Sequence, residues 1–303
     1  MTTRFPDWIR RNWASGEDFE YTKGLVSGLE LHTVCQSAHC PNLGECWRRR
    51  TATFMILGNL CTRNCRYCSV PSGRPHGEVD ADEPDHVAHA VAEMGVRHAV
   101  ITSVTRDDLP DGGAAHFAAT VNAIHEQRPE TSVELLTPDF LGDEGAITTV
   151  LESRPHVFGH NIETVRRLYS DLRGKRYSYD LGLGVLRSVA AHPSPVIIKS
   201  AFMVGHGETA DEVRETLLDL LDAGCEVVSI GQYLRPTRKQ REVVDFVHPD
   251  QLQAYESMAY DLGFKFAVAG PFVRSSYRSE EVMDTEFARE RFGAPSGVNV
   301  EAR

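Results

Sequence analysis

A chain of 303 residues, 41% hydrophobic and 25% charged, is long enough for one large core and ordinary for a soluble globular protein. Its 32 basic against 43 acidic residues leave a net charge of −11, which argues against non-specific nucleic-acid binding and against binding to an anionic membrane surface. It has no run of about 18 apolar residues, so no membrane span is expected. The opening Met1-Thr2-Thr3-Arg4-Phe5-Pro6-Asp7 lacks an apolar signal core. Seven cysteines without an export signal suggest a reducing, cytoplasmic setting in a prokaryote, where clustered cysteines more often bind metal than form disulfides.

Residues 1–50 do not read as the start of a barrel. Pro6 to Arg10 and Tyr21 to Leu25 are expected as short helical pieces. Then comes Cys35-Gln36-Ser37-Ala38-His39-Cys40-Pro41-Asn42-Leu43-Gly44-Glu45-Cys46-Trp47, a C-x4-C-x5-C run with Pro41 and Gly44 allowing tight turns. It reads as an iron–sulfur site, as a zinc site completed by His39, or as unrelated buried cysteines. A second triple-cysteine loop 15 residues further on favours the first reading.

Thr51 to Gly58 is an apolar run expected as a buried strand leading into that second loop, Cys61-Thr62-Arg63-Asn64-Cys65-Arg66-Tyr67-Cys68. Its C-x3-C-x2-C spacing can hold three corners of an iron–sulfur cube and leave one iron open to an amine and a carboxylate. A zinc knuckle is the alternative, although zinc sites usually pair C-x2-C units. The spacing resembles the signature of radical S-adenosylmethionine (SAM) enzymes, with Tyr67 at the usual aromatic position.

From there strand-like and helix-like segments alternate. Helices are expected over Asp85–Met94, Ala114–Glu126, Gly145–Glu152, Glu163–Leu172, Thr209–Ala223 and Pro249–Leu262. Thr209 and Glu212 have capping-box spacing, and Pro249 stands where a helix start tolerates it. Strands are expected over His98–Thr102, Ser132–Leu136, His156–His160, Pro195–Lys199 and Glu226–Ile230, with Lys265–Val268 as a final short one. Such alternation implies an α/β protein with a parallel sheet. Six good strands fit an incomplete (β/α)6 TIM-type barrel better than a full eight-stranded one. The chain then divides into an N-terminal extension (1–50), a partial barrel (51–270) and a closing C-terminal segment (271–303). The stretch from Arg278 is polar, and its end is expected to be mobile.

Chemistry in a parallel barrel collects at the C-terminal ends of strands. Here those ends carry Thr102, Ser103, Thr105, Arg106, Asp107 and Asp108, then Thr137-Pro138-Asp139, His160-Asn161-Ile162-Glu163, Lys199-Ser200 and Gly231-Gln232-Tyr233. Five polar ends on one rim suggest a polar pocket. Each residue also has a structural reading. Asn161 and Glu163 can cap a helix, Arg106 can pair with Asp107 or Asp108, and Lys199 can pair with Glu134 or Glu163. His160 can be a core histidine, and Cys225 reads as an inert small hydrophobe. Gly205-His206-Gly207-Glu208-Thr209 is a weak phosphate-cradle match, better read as a SAM contact or a tight turn. Arg274-Ser275-Ser276-Tyr277 can return the chain to the barrel mouth.

Together these residues resemble the lipoyl synthases. The matching features are the two cysteine runs, Thr51 to Gly58, Thr102 to Ala114, Leu136 to Phe140, His160 to Val165, Gly231 to Leu234 and the Arg274-Ser275-Ser276-Tyr277 ending, over about residues 5–278. The resemblance implies two 4Fe–4S clusters. Cys61, Cys65 and Cys68 would hold the cluster that chelates SAM. Cys35, Cys40 and Cys46 would hold an auxiliary cluster, the sulfur source, with Ser276 on its fourth iron. It also implies an electron from a ferredoxin- or flavodoxin-like donor and a radical that abstracts hydrogen from C6 and C8 of an octanoyl chain. That chain is carried on a lysine of a lipoyl-carrier domain or a glycine-cleavage H-type protein. Tyr67, Asn161, Glu163 and Lys199 are then expected to contact SAM, with Arg106 and Arg274 near the reacting substrate. The sequence departs from the family pattern at Thr105, Ala201, His206, Tyr179 to Gly182 and Thr237 to Val243, none of which is a cluster ligand. A different radical SAM reaction, and a two-cluster electron carrier without turnover, are the competing readings. The Arg274–Tyr277 ending disfavours the former and the polar strand ends the latter.

Overall fold

The computed structural model describes residues 5–10, 15–75 and 79–293. Its N-terminal part is helical: α1 (Glu17–Gly28), α2 (Val34–Ser37) and α3 (Leu43–Arg48). The alternating part follows as β1 (Thr53–Ile56), α4 (Glu83–Met94), β2 (His98–Ser103), α5 (Ala114–Gln127), β3 (Ser132–Leu136), α6 (Glu144–Glu152) and β4 (Val157–Gly159). After it come α7 (Arg166–Arg173), α8 (Tyr179–Ala191), β5 (Ile197–Val204), α9 (Ala210–Asp222), β6 (Val227–Gln232), α10 (Pro249–Leu262) and β7 (Phe266–Gly270). Two short helices, α11 (Glu280–Met283) and α12 (Glu286–Phe292), complete the described chain.

All seven strands are parallel, in the order β1-β2-β3-β4-β5-β6-β7. No pairing joins β1 to β7 among the described residues, so the sheet curls into a partial barrel. The six expected strands form it, and the final short one pairs with β6 as the seventh. Strands such as β1 and β6 are buried throughout, because helices cover the outer face while side chains fill the interior. One polar layer crosses that interior. Glu134 receives Lys199 Nζ at 2.7 Å and lies 3.2 Å from His98 Nε2, all three side chains being buried.

Local sequence explains several boundaries. Thr209 and Glu212 form the expected capping box on α9. Helix α7 starts three residues later than expected, because Glu163 has φ +68 and its backbone pairs with β5 instead (Glu163 N to Ala201 O 3.1 Å, Met203 N to Glu163 O 2.8 Å). Pro6 to Ile9 make one turn rather than a helix, through the Ile9 N to Pro6 O bond of 3.0 Å. The polar stretch after Arg278 is ordered as far as Gly293. Val282 and Ala288 are buried against Val157, Ile197 and Val227, the first residues of β4, β5 and β6. Arg291 clamps the same end, donating to both Glu226 oxygens (2.7 and 2.6 Å) and to Val196 O (2.8 Å). Residues 294–303 lie outside the described part.

The Gly205–Glu208 segment is a tight turn, not a phosphate cradle. Its amides are already used, Gly205 N and His206 N donating to Glu208 at 2.5 and 3.0 Å. A Cβ at Gly205 would lie 2.1 Å from Gln232 Nε2 and 2.6 Å from Asp245 O, so only glycine fits its φ of +101. His206 is buried and stacks on Tyr233 with centroids 4.2 Å apart, and neither ring nitrogen meets a partner among the described residues. Burial pulls its pKa from 6.5 to about 4. The unfolded chain then binds the extra proton first, so stability is full above 6.5 and is lost as pH falls toward 4. Replacing His206 by Leu should stabilise the protein by on the order of 1 kcal/mol near neutrality. The gain should grow as pH falls through that window. Melting curves across pH that show the same gain throughout would remove the histidine's charge from the account.

Candidate functional site

The second cysteine loop is fixed at the C-terminal rim of the barrel by bonds from several strands. Thr62 N and Thr62 Oγ1 both donate to Thr105 O at 3.0 Å, after β2. Arg63 is folded underneath, with its side chain 1% exposed. It donates twice to Asp107 (2.9 and 2.7 Å) and twice to Asp139 (2.5 and 2.6 Å), and stacks 4.2 Å from the Tyr177 ring centre. Such two-sided bidentate pairing is what arginine's planar fork allows. Despite burial, which raises it, hydrogen bonds from Arg63 bring the Asp139 pKa down to about 2. Arg173 supports the far side of the loop, donating to Tyr67 OH at 3.3 Å, with Glu163 at 3.8 Å and Asp139 at 3.6 Å.

Above the strand ends lies a cavity of about 500 Å³. Both cysteine runs reach it: Cys35, Cys40 and Cys46 from the N-terminal helices, Tyr67 and Cys68 from the rim loop. Cys61 and Cys65 sit half-buried on that same loop. The barrel contributes Thr102, Ser103, Asn161 and Glu163 to the wall. Two buried atoms there have no partner among the described residues, Asn161 Oδ1 and Ser103 Oγ. Buried polar atoms are rarely left so, which fits a polar ligand at these strand ends. Glu163 combines a left-handed backbone with a carboxyl that burial pushes up, against Arg173 and hydrogen bonds from Asn161 and Tyr67. Strained residues and perturbed carboxyls concentrate at functional sites.

The open side of the barrel is closed by residues 271–277 and the N-terminal helices. Asn42 Nδ2 donates to Phe272 O at 2.7 Å, and Tyr277 OH to Glu45 Oε1 at 3.0 Å. Thr53 Oγ1, at the start of β1, donates to Ser276 Oγ at 2.9 Å. Ser276 and Arg274 thus face the cavity beside Cys35, Cys40 and Cys46. The first run is wound by its own backbone, with Cys40 N to Cys35 O at 3.0 Å and Thr51 N to Cys46 O at 2.9 Å.

Besides Cys61 and Cys65, two expected site residues are not on the cavity wall. Lys199 is consumed in the buried pair with Glu134. Arg106 is buried away from the cavity, donating to Asp108 at 2.9 Å and to Leu57 O at 3.5 Å. In both cases a nearby carboxylate, Glu134 or Asp108, gives a desolvated cation its partner. His160 is a core histidine, buried, with Nδ1 donating to Thr137 O at 3.0 Å. Arg63 and Arg173 were not singled out from sequence. The only signal for Arg63 was its place inside the cysteine loop, and for Arg173 there was none.

The thiols suit metal better than nucleophilic chemistry. Burial pushes Cys35 up to about 11 and Cys46 and Cys68 to about 12, and also raises Cys65. Thiols like these stay protonated at neutral pH until a metal displaces the proton. Among the described residues no three His, Cys, Asp or Glu side chains converge as a single-ion site. A cluster spreads its ligands over several irons and needs no such convergence.

Comparison with known proteins agrees. Residues 55–220 match the family model for the Radical SAM superfamily. The lipoyl synthase of Caldanaerobacter subterraneus subsp. tengcongensis is 50% identical over 92% of this chain and 97% of its own length. That of Thermus thermophilus is 50% identical over 91% and 86%. Among solved structures, methylornithine synthase aligns with a TM-score of 0.53 at 12% identity over 86% of this chain and 87% of its own. Streptococcus suis SuiB bound to S-adenosylmethionine aligns with a TM-score of 0.56 at 12% identity, over 83% and 60%. These last two likenesses concern the fold. The chain belongs to the radical SAM superfamily and, within it, to the lipoyl synthases.

Proposed function

We propose that this protein inserts two sulfur atoms, at C6 and C8, into an octanoyl chain borne on the lysine of a lipoyl-carrier domain or a glycine-cleavage H-type protein. The observation that carries this reading is the meeting of both cysteine runs and Ser276 at one cavity. A rim loop that only makes a radical needs three cysteines; a second triad across the same space supplies a second function. The walls between them include Met55, Leu136, Phe202, Met203 and Val273, an apolar lining suited to an eight-carbon chain.

When bound, a 4Fe–4S cluster on Cys61, Cys65 and Cys68, reduced by a ferredoxin- or flavodoxin-like donor, supplies with SAM the hydrogen-abstracting radical, and an auxiliary cluster on Cys35, Cys40, Cys46 and Ser276 supplies sulfur. The chain's own residues do the rest. Asn161 and Glu163 offer an amide oxygen and a carboxylate to the polar groups of SAM. Tyr67, held by Arg173, keeps the rim loop against them. Residues 271–277 cover the open side and exclude water, as radical chemistry requires. Thr53 orients the Ser276 hydroxyl. A serine oxygen suits iron less well than a thiolate, so Ser276 would hold the fourth iron less firmly than the three cysteines would hold theirs.

Anaerobic turnover of an octanoyl-lysyl peptide with SAM and a reductant, followed by mass spectrometry, tests the reading; a fully loaded enzyme that adds no sulfur would sink it. Ser276→Ala should keep SAM cleavage and lose sulfur insertion by at least the roughly 10–100-fold that loss of an outer partner costs a metal site. Unchanged insertion would take Ser276 out of the mechanism.

A further inference from the structure

We propose that the loop 235–241 is the docking surface for an acidic carrier domain that delivers the octanoyl-lysyl arm to the cavity, an inference that rests on the functional reading above. Arg235, Arg238, Lys239 and Arg241 make four of its seven residues basic, and none is acidic, in a chain of net charge −11. A charge run is usually just a solvated face, but this loop is pinned as a surface. Gln240 Nε2 donates to Cys68 O at 3.0 Å, Arg241 N to Arg66 O at 2.8 Å, and Tyr233 OH to Arg241 O at 2.8 Å. Arg235 closes the loop on itself, donating to Gln240 O at 2.8 Å and to Arg238 O at 2.5 Å.

That scaffold presents Arg238 and Lys239 to solvent, with no ion-pair partner among the described residues. The end of α7 lies alongside, its Asp171 pairing with Arg241 and its Leu172 O accepting from Arg66 N at 2.8 Å, and Lys175 and Arg176 follow directly after it in the chain. They too are exposed and have no ion-pair partner among the described residues. Position identifies the occupant. Arg235 and Pro236 belong to the cavity wall, next to Ser69 and Val70, so the patch borders the opening itself. A carrier must sit at that opening to thread its lysyl arm inward. Fixed cations beside an opening raise encounter rates with acidic partners and make them salt-dependent.

The test uses the cluster-loaded enzyme with both octanoylated carrier domain and a free octanoyl-lysyl peptide. Arg238→Glu with Lys239→Glu should raise KM, and the directly titrated Kd, for the carrier domain about tenfold at low salt. The kcat should hold, the gap should close at high salt, and the kinetics of the peptide should not move. Lys175→Glu with Arg176→Glu should shift the domain in the same direction. Equal effects on peptide and domain, or no effect on either, overturn the proposal. So does an unchanged carrier Kd with slower reduction by a flavodoxin, which would give the patch to the electron donor. A wild-type enzyme that binds the carrier domain but modifies neither substrate counts against the reaction, not against the docking surface.

Discussion

Replacing Cys65 by alanine is expected to remove about half of the bound iron and all SAM cleavage, whereas replacing Cys40 removes the other half and leaves SAM cleavage in place while abolishing sulfur insertion. The asymmetry follows from where the two triads stand. Cys61, Cys65 and Cys68 ride on one rim loop braced by Arg63 and Arg173, next to Asn161 and Glu163 at the fourth strand end. Cys35, Cys40 and Cys46 lie across the cavity on elements tied to residues 271–277, through Asn42 and Glu45. The two runs are linked through Ser69 Oγ, which donates to Ser37 O at 2.7 Å, a bond in which no cysteine takes part, so losing the thiols of one site should leave the other in place. Iron analysis and chromatographic detection of 5′-deoxyadenosine read the two halves separately. If the Cys40 variant also stopped cleaving SAM, the division of labour between the loops would be wrong.

Arg63→Ala is expected to be the most damaging substitution outside the cysteines. It leaves the Asp139 carboxylate, with a side chain 2% exposed, without its main partner, and deprives Asp107 of its own. Breaking a buried pair from one side costs about 3–5 kcal/mol, or roughly 5–8 °C in Tm for a chain of this size. Arg63→Lys should recover only part of this, because one ammonium cannot bridge two carboxylates bidentately. The pH dependence has a definite sign. With its folded pKa near 2, Asp139 contributes stability that is present above its ordinary value of 3.8 and lost as pH falls from there toward 2. The deficit of the alanine variant relative to the wild type should therefore shrink across that window. Melting temperatures that coincide near neutral pH would show that the clamp carries little of the loop's stability.

Much of this was legible in the sequence, for identifiable reasons. The alternation of strands and helices was visible because two-sided burial makes runs such as Val196-Ile197-Ile198 and because Thr209, Glu212 and Pro249 mark helix starts. Helix α8 was not, since Gly182 and Gly184 interrupt its pattern. Gly182 is there because a Cβ would come within 3.0 Å of Ile162. The floor helices α11 and α12 read as a polar tail, because only Val282 and Ala288 of that stretch are fully buried apolar residues. At the site, thiols in fixed spacing announce themselves locally. Charged residues do not. Lys199, Arg106 and Arg63 all stand near strand ends or loops, and only the fold decides that Glu134, Asp108, Asp107 and Asp139 meet them.

The segment after β7 does two jobs in immediate succession. Residues 271–277 wall the cavity, and α11 and α12 then seal the opposite end of the same barrel. Both follow all seven described strands, so during synthesis the sheet emerges from the ribosome before this part of its roof and before its floor. The cysteine runs, which precede almost all of the sheet, wait longest for shelter. The cavity wall at 271–277 is therefore completed only after both cysteine runs and all seven described strands have been made, whereas α11 and α12 close the far end of the barrel, away from the thiols.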